Sequence, residues 1–185
     1  MTVAFFISQA YPKPHIEKII VGVESVIRKG MRAIVFTGTE PQKGQYIKKQ
    51  LELILKRNPQ YKPESFKIII SNSRHEENQK TAEFISEVDI IVAASHERTN
   101  WAVGLGLPIF VLFPLIGTYA EQNFDFAFDR EVAHPIRNLE AAKNLGEKLI
   151  EMHKAGTLSK MAKCGFSSYS LNGTEFIVDY LIKLV

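Results

Sequence analysis

Short, mostly apolar runs recur along the chain at residues 2–7, 33–36, 66–70, 90–94, 109–113 and 132–136. They are of strand length, are bounded by turn residues, and mostly lack the alternation of a strand with one wet face. This is how strands covered on both faces of a parallel sheet read. Between them lie stretches with helical spacing. Residues 16–29 place apolar side chains at 16, 19, 20, 23, 26 and 27, with Gly30 as the stop. Residues 45–57 put Leu51, Ile54 and Leu55 on one face and lysines on the other. Shorter helices are expected at 78–86, at 99–105 (closed by Gly106 and Pro108) and at 120–130. A longer one is expected at 139–155, striped by Leu145, Leu149 and Met152, then a short one at 157–163. Asn172 is the expected cap of a closing helix, 173–185, with Phe176, Ile177, Tyr180, Leu181 and Leu184 apolar. Pro12 and Pro14 are expected to keep 8–15 extended, and Arg74, His75, Glu76 and Glu77 to form a solvated face.

Strand and helix alternate throughout. The pattern predicts an α/β fold, a Rossmann-like three-layer sandwich with a mostly parallel sheet of about six strands and helices on both faces. Such sheets bind ligands in the crevice beyond the carboxyl ends of their strands. Two loops at such ends concentrate polar groups. The first, 95–100, reads Ser-His-Glu-Arg-Thr-Asn and leads into the helix at 99–105. A helix N-terminus favours phosphate; Ser95 and Thr99 add hydroxyls, and His96 and Arg98 add positive charge. A plain polar loop capped by Thr99 explains the same residues. The second, 116–123, offers Gly117 for close backbone approach, Thr118, and the trio Glu121, Gln122 and Asn123, suited to sugar hydroxyls. A helix first turn rich in acid and amide explains these equally. Trp101 and Phe124, Phe126 and Phe128 read as core or interface aromatics, Trp101 alternatively as a stacking surface for a ligand ring.

Composition narrows the function classes. The 185 residues fit one domain, 45% of them apolar and 23% charged, as in ordinary globular proteins. A net charge of +3, spread along the chain, does not point to nucleic acid. One cysteine, Cys164, rules out an intrachain disulfide, and a reducing, cytoplasmic setting is expected. The apolar run at the N-terminus lacks a basic lead and is too short for a signal peptide or a membrane span. The five histidines and Cys164 show no metal-ligand spacing, so no metal is expected. Dinucleotide, P-loop and nucleophile-elbow motifs are all missing, and no cofactor is expected.

The phrases VDIIVAAS (88–95), GLP (106–108), Pro114 and EQN (121–123), with NGTEFIVDYL near the end, together resemble the C-terminal, nucleotide-sugar-binding half of GT-B glycosyltransferases. The cell-wall UDP-N-acetylglucosamine transferases are the nearest group by this resemblance. It implies a UDP-sugar donor, with diphosphate at 95–99, donor sugar hydroxyls at Glu121, Gln122 and Asn123, the base near 71–73, and Asn100 near the ribose. It also implies an acceptor-binding domain or subunit elsewhere, which would complete a hexosyl-transferring enzyme; no catalytic base is named. The chain departs from the family at three places. Residues 8–12 (Ser-Gln-Ala-Tyr-Pro) lack the glycines of the family's first loop, Ser95-His96-Glu97 replaces Ser-Gly-Gly, and Asn100 and Trp101 stand where a ribose-binding Glu is usual. A non-enzymatic α/β module kept for protein interaction, homo-oligomer included, and a Rossmann-like binder of another small ligand are the alternatives.

Overall fold

The six apolar runs form one sheet in the computed structural model, which describes residues 1–8, 10–168 and 173–183. The strands are β1 (Thr2–Phe6), β2 (Arg32–Phe36), β3 (Phe66–Ile69), β4 (Ile90–Ala93), β5 (Ile109–Leu112) and β6 (Ala133–Ile136). Their order is β3-β2-β1-β4-β5-β6, and every neighbouring pair is parallel. The helices are α1 (Lys13–Arg28), α2 (Pro41–Arg57), α3 (Arg74–Phe84), α4 (Glu97–Leu105), α5 (Ala120–Phe128), α6 (Leu139–Lys143), α7 (Leu145–Lys154), α8 (Thr157–Ser168) and α9 (Gly173–Ile182).

Successive side chains of a strand point to opposite faces, so each strand feeds two cores. On one face Val3, Phe5, Val35, Val92, Phe110 and Leu112 pack under Ile19 and Val23 of α1, Leu51 of α2, and Leu145 and Leu149 of α7. On the other, Ala4, Phe6, Ile34, Ile91, Ile109 and Val111 pack under Phe84 of α3, Ala102 and Val103 of α4, and Phe124 of α5. Phe5, Phe36 and Phe110 are fully buried. Burying an aromatic of this size contributes roughly 1.5–3 kcal/mol relative to leaving it exposed. The fold is therefore the expected three-layer Rossmann-like sandwich, with an all-parallel sheet.

Several boundaries differ from the sequence reading. Helix α1 starts at Lys13, so 13–15 is helical and Pro14 sits in the first turn. There a proline lacks only an N–H that no helical carbonyl would have received. Helix α3 starts at Arg74 because Ser73 accepts from the Glu76 N–H at 3.2 Å while the Glu76 carboxylate accepts from the Asn72 N–H at 2.7 Å. The stretch expected as one helix at 139–155 is two, meeting at Asn144. Helix α8 runs to Ser168, five residues past the expected end at Lys163. Gly106 ends α4 as expected, in the left-handed conformation at φ 63°. The proposed cap Asn172 lies outside the described residues, as do Gln9 of the first loop and Leu184.

Candidate functional site

The strand order reverses direction between β1 and β4. Chain leaving β1 enters α1 on one face of the sheet, and chain leaving β4 enters α4 on the other. The two connections part at the carboxyl edge and leave a crevice, as such a switch point must. A cleft of about 500 Å³ opens there. Its walls are Phe6–Ser8, Ala10 and Tyr11 after β1, Gly38 and Thr39 after β2, Arg74 and Glu77 of α3, and Ala94 with His96, Glu97 and Arg98 after β4.

The first predicted loop is thus at the cleft, but its side chains divide the work differently from expectation. Ser95 and Thr99 are fully buried with their hydroxyl oxygens 3.4 Å apart. His96 lines the cleft and is the residue preceding α4, without a capping side-chain bond. Arg98 is buried at 4% exposure and donates to Glu77 at 3.1 Å. Its guanidinium carbon lies 4.6 Å from the Phe6 ring centre and 4.1 Å from that of Trp101. Trp101 therefore covers a cation. Burial pushes Arg98 down from its ordinary value, against the opposing pull of Glu77 and Glu97. Its Nη1 has no hydrogen-bond partner among the described residues.

The expectation of a solvated face at residues 74–77 fails for Glu77. That carboxylate is 5% exposed and accepts from both Arg98 and, at 2.9 Å, Arg74. Arg74 also pairs with Glu97, joining the first residues of α3 and α4. The lining thus holds two arginines and two glutamates paired among themselves.

The second loop touches the first at two points. A Cβ built on Gly117 would stand 3.1 Å from Cε1 of His96, and Asn123 donates to the Ser95 carbonyl at 3.2 Å. Asn100, Thr118, Glu121 and Gln122 are exposed and do not line the cleft. In the stretch implied for a base, Ser71 is buried and Ser73 caps α3.

Tyr11 was not expected at the site. It is buried, and its hydroxyl oxygen accepts the Ala94 N–H at 2.5 Å, so a ring closes the seam between β1 and β4. Burial raises its pKa, outweighing that bond. Behind it lie His15, fully buried, and Lys18, which donates to the Phe113 carbonyl at 2.8 Å and so ties α1 to the start of the loop after β5. The only sequence sign of this arrangement was the proline at position 12, which fixes the turn after Tyr11.

No family model matches the sequence, and no curated protein matches it. Solved structures do match. S. aureus MnaA bound to UDP superposes with a TM-score of 0.70 at 14% identity, over 100% of this chain and 47% of that one. MurG from Acinetobacter baumannii gives 0.67 at 14% identity, over 98% and 52%. The C-terminal domain of a glycosyl transferase group 1 family protein (LpcC) from Francisella tularensis gives 0.56 at 14% identity, over 95% and 86%. The chain has the fold of the C-terminal half of a GT-B glycosyltransferase. It spans about half the length of the MnaA and MurG chains. At these identities the match speaks to the GT-B half as a fold, and the chemistry rests on the cleft. No helix among the described residues is long and apolar enough to cross a membrane.

Proposed function

We propose that this chain is the UDP-sugar-binding half of a glycosyltransferase, active only with an acceptor-binding domain or subunit. The observation that carries the reading is the 500 Å³ cleft at the β1/β4 switch point, opening on the N-terminus of α4, in a fold shared with a UDP-bound neighbour. The diphosphate would lie against the start of α4, near His96 and Arg98. The sugar would extend toward Gly117 and the first turn of α5, where Glu121 and Gln122 are exposed and free to bond hydroxyls. Two facts support dependence on a partner. The chain spans about half of the MnaA and MurG chains, and α9 exposes Ile177, Val178, Tyr180, Leu181 and Ile182. An apolar helix surface of this kind suits burial against another protein surface. The setting is proposed to be a reducing, cytoplasmic one.

The test is calorimetric titration with UDP, UDP-N-acetylglucosamine and UDP-glucose. Binding is expected for all three, and Gln122→Ala should weaken only the two UDP-sugars, by about five- to tenfold for one lost hydrogen bond. No heat with any of them at millimolar concentration refutes the reading. One observation favours a second reading, that of a non-enzymatic interaction module. The arginines of the cleft already have carboxylate partners within the chain. On that reading no nucleotide binds, and the chain forms a stable complex through α9.

A further inference from the structure

The cleft holds an anion of its own. Glu97 is the first residue of α4, a nine-residue helix preceded by His96, which makes no capping side-chain bond. Negative charge is favoured at such a terminus, and the Glu97 carboxylate supplies it from within the chain. Burial works to raise this carboxyl, yet the bond and charge of Arg74, the charge of Arg98 and its own backbone N–H hold it below the ordinary range. A second observation points the same way. Arg98 lines the same cleft at 4% exposure, with Nη1 lacking a hydrogen-bond partner among the described residues.

The four charges differ in how firmly they are held. Glu77 and Arg98 are both buried. Arg74 and Glu97 are about half exposed, at 56% and 49% of their side-chain surface, so Glu97 can rotate away without opening the core while Arg74 keeps its bond to Glu77. An exposed pair of this kind contributes little to folding, little enough for a ligand to displace.

We propose that Glu97 is an internal competitor for the diphosphate of the ligand. In the free protein it occupies Arg74 and the start of α4; on binding, the diphosphate takes both and Glu97 turns to solvent. Arg74 is then a ligand-binding residue. The device selects for ligands with at least two adjacent negative charges, because one charge would merely replace the carboxylate. The inference rests on the donor-site reading for its ligand, although the anion chemistry stands apart from the uridine and the sugar.

The test titrates wild type, Glu97→Gln, Arg74→Gln and Glu87→Gln with inorganic pyrophosphate and with UDP by calorimetry. Glu87 pairs with Arg32, on the residues leading into β4 at the sheet's opposite edge, and controls for loss of one negative charge. Removing a like charge beside the phosphates should tighten binding of both probes to Glu97→Gln by about tenfold. Arg74→Gln should weaken both by a similar factor, and Glu87→Gln should change neither. Unchanged or weaker binding to Glu97→Gln overturns the inference, while UDP binding to wild type leaves the donor site standing. Tighter pyrophosphate binding without any UDP binding upholds the inference and overturns the donor site. No binding of either probe to wild type or to Glu97→Gln overturns both.

Discussion

Replacing Glu77 with Gln removes the negative charge beneath two arginines while keeping size and one acceptor oxygen. In the native protein its carboxylate accepts from Arg98 at 3.1 Å and from Arg74 at 2.9 Å. The Glu77 and Arg98 side chains are 6% and 5% exposed. Arg98 cannot shed its proton in any usable pH range, so the variant strands a buried cation. Breaking a buried pair from one side costs about 3–5 kcal/mol. The retained amide oxygen and the Phe6 and Trp101 rings flanking the guanidinium place the expectation at the lower end, about 3 kcal/mol. In a chain of this size that corresponds to a fall in Tm of roughly 6–12 °C. Urea unfolding followed by circular dichroism measures the change directly. Glu87→Gln, which breaks a pair with side chains 38% and 42% exposed, should stay within about 1 kcal/mol of wild type. Arg98→Met added to Glu77→Gln removes the stranded charge and should recover part of the loss, giving a coupling of about 1–3 kcal/mol in the double-mutant cycle. A Glu77→Gln protein within about 0.5 kcal/mol of wild type and showing no coupling would refute the reasoning. It would mean that water entering from the cleft solvates Arg98.

Two further outcomes follow from the helical layer over Phe5 and Phe110. Gly146→Ala places a methyl 2.3 Å from the Ser25 carbonyl oxygen, where α7 crosses α1 and Ser25 bridges the Lys143 carbonyl and the Gly146 N–H. The helices must separate, and the urea midpoint should fall by the equivalent of about 1–3 kcal/mol despite the better helix propensity of alanine. The second outcome concerns pH. Burial, then Lys18, pushes fully buried His15 below its ordinary value of 6.5, and burial does the same to His134. An imidazole with a depressed folded pKa binds fewer protons in the folded than in the unfolded state. Its stability is therefore complete above about pH 6.5 and is lost as pH falls through that value toward the folded pKa. Urea midpoints at pH 8, 6.5 and 5 should decline in that order, and His15→Phe should flatten the decline; an equally steep decline in the variant would assign it elsewhere.

The sheet was legible because β4 and β5 are apolar at every position, a pattern that only burial on both faces explains. The carboxyl-edge location of the cleft follows from that pattern together with the crevice rule for such sheets. The start of α1 is hidden in the sequence because Pro14, which would break a helix interior, sits without loss in a first turn. The start of α3 was readable from Ser73 and Glu76, whose spacing is that of a capping box, but the run of charges at 74–77 suggested solvent instead. The burial of Glu77 was not readable at all. Its partner Arg98 lies 21 residues away on another helix, and only the side-by-side placement of α3 and α4 brings them together. Tyr11 is similar: its role depends on the loop after β1 folding back over Ala94, a tertiary fact with no local signature beyond Pro12.

The cluster at the cleft separates into a part that the fold needs and a part that it does not. Glu77 and Arg98 must stay paired, because Arg98 would otherwise be a lone buried cation and Glu77 would keep only the half-exposed Arg74. Arg74 and Glu97 carry no such obligation, since an exposed pair contributes at most about 1 kcal/mol to folding. A purely structural role thus accounts for the buried pair and leaves the exposed one unexplained, although it stands at the N-termini of two helices that both border the crevice. Helix N-termini attract anions, and a half-exposed side-chain carboxylate at such a terminus can be exchanged for a better anion. The formal neutrality of the lining is then no argument against a phosphate ligand. It sets the condition that the ligand bring enough charge to replace Glu97 at Arg74, a condition that a diphosphate meets and a neutral metabolite does not.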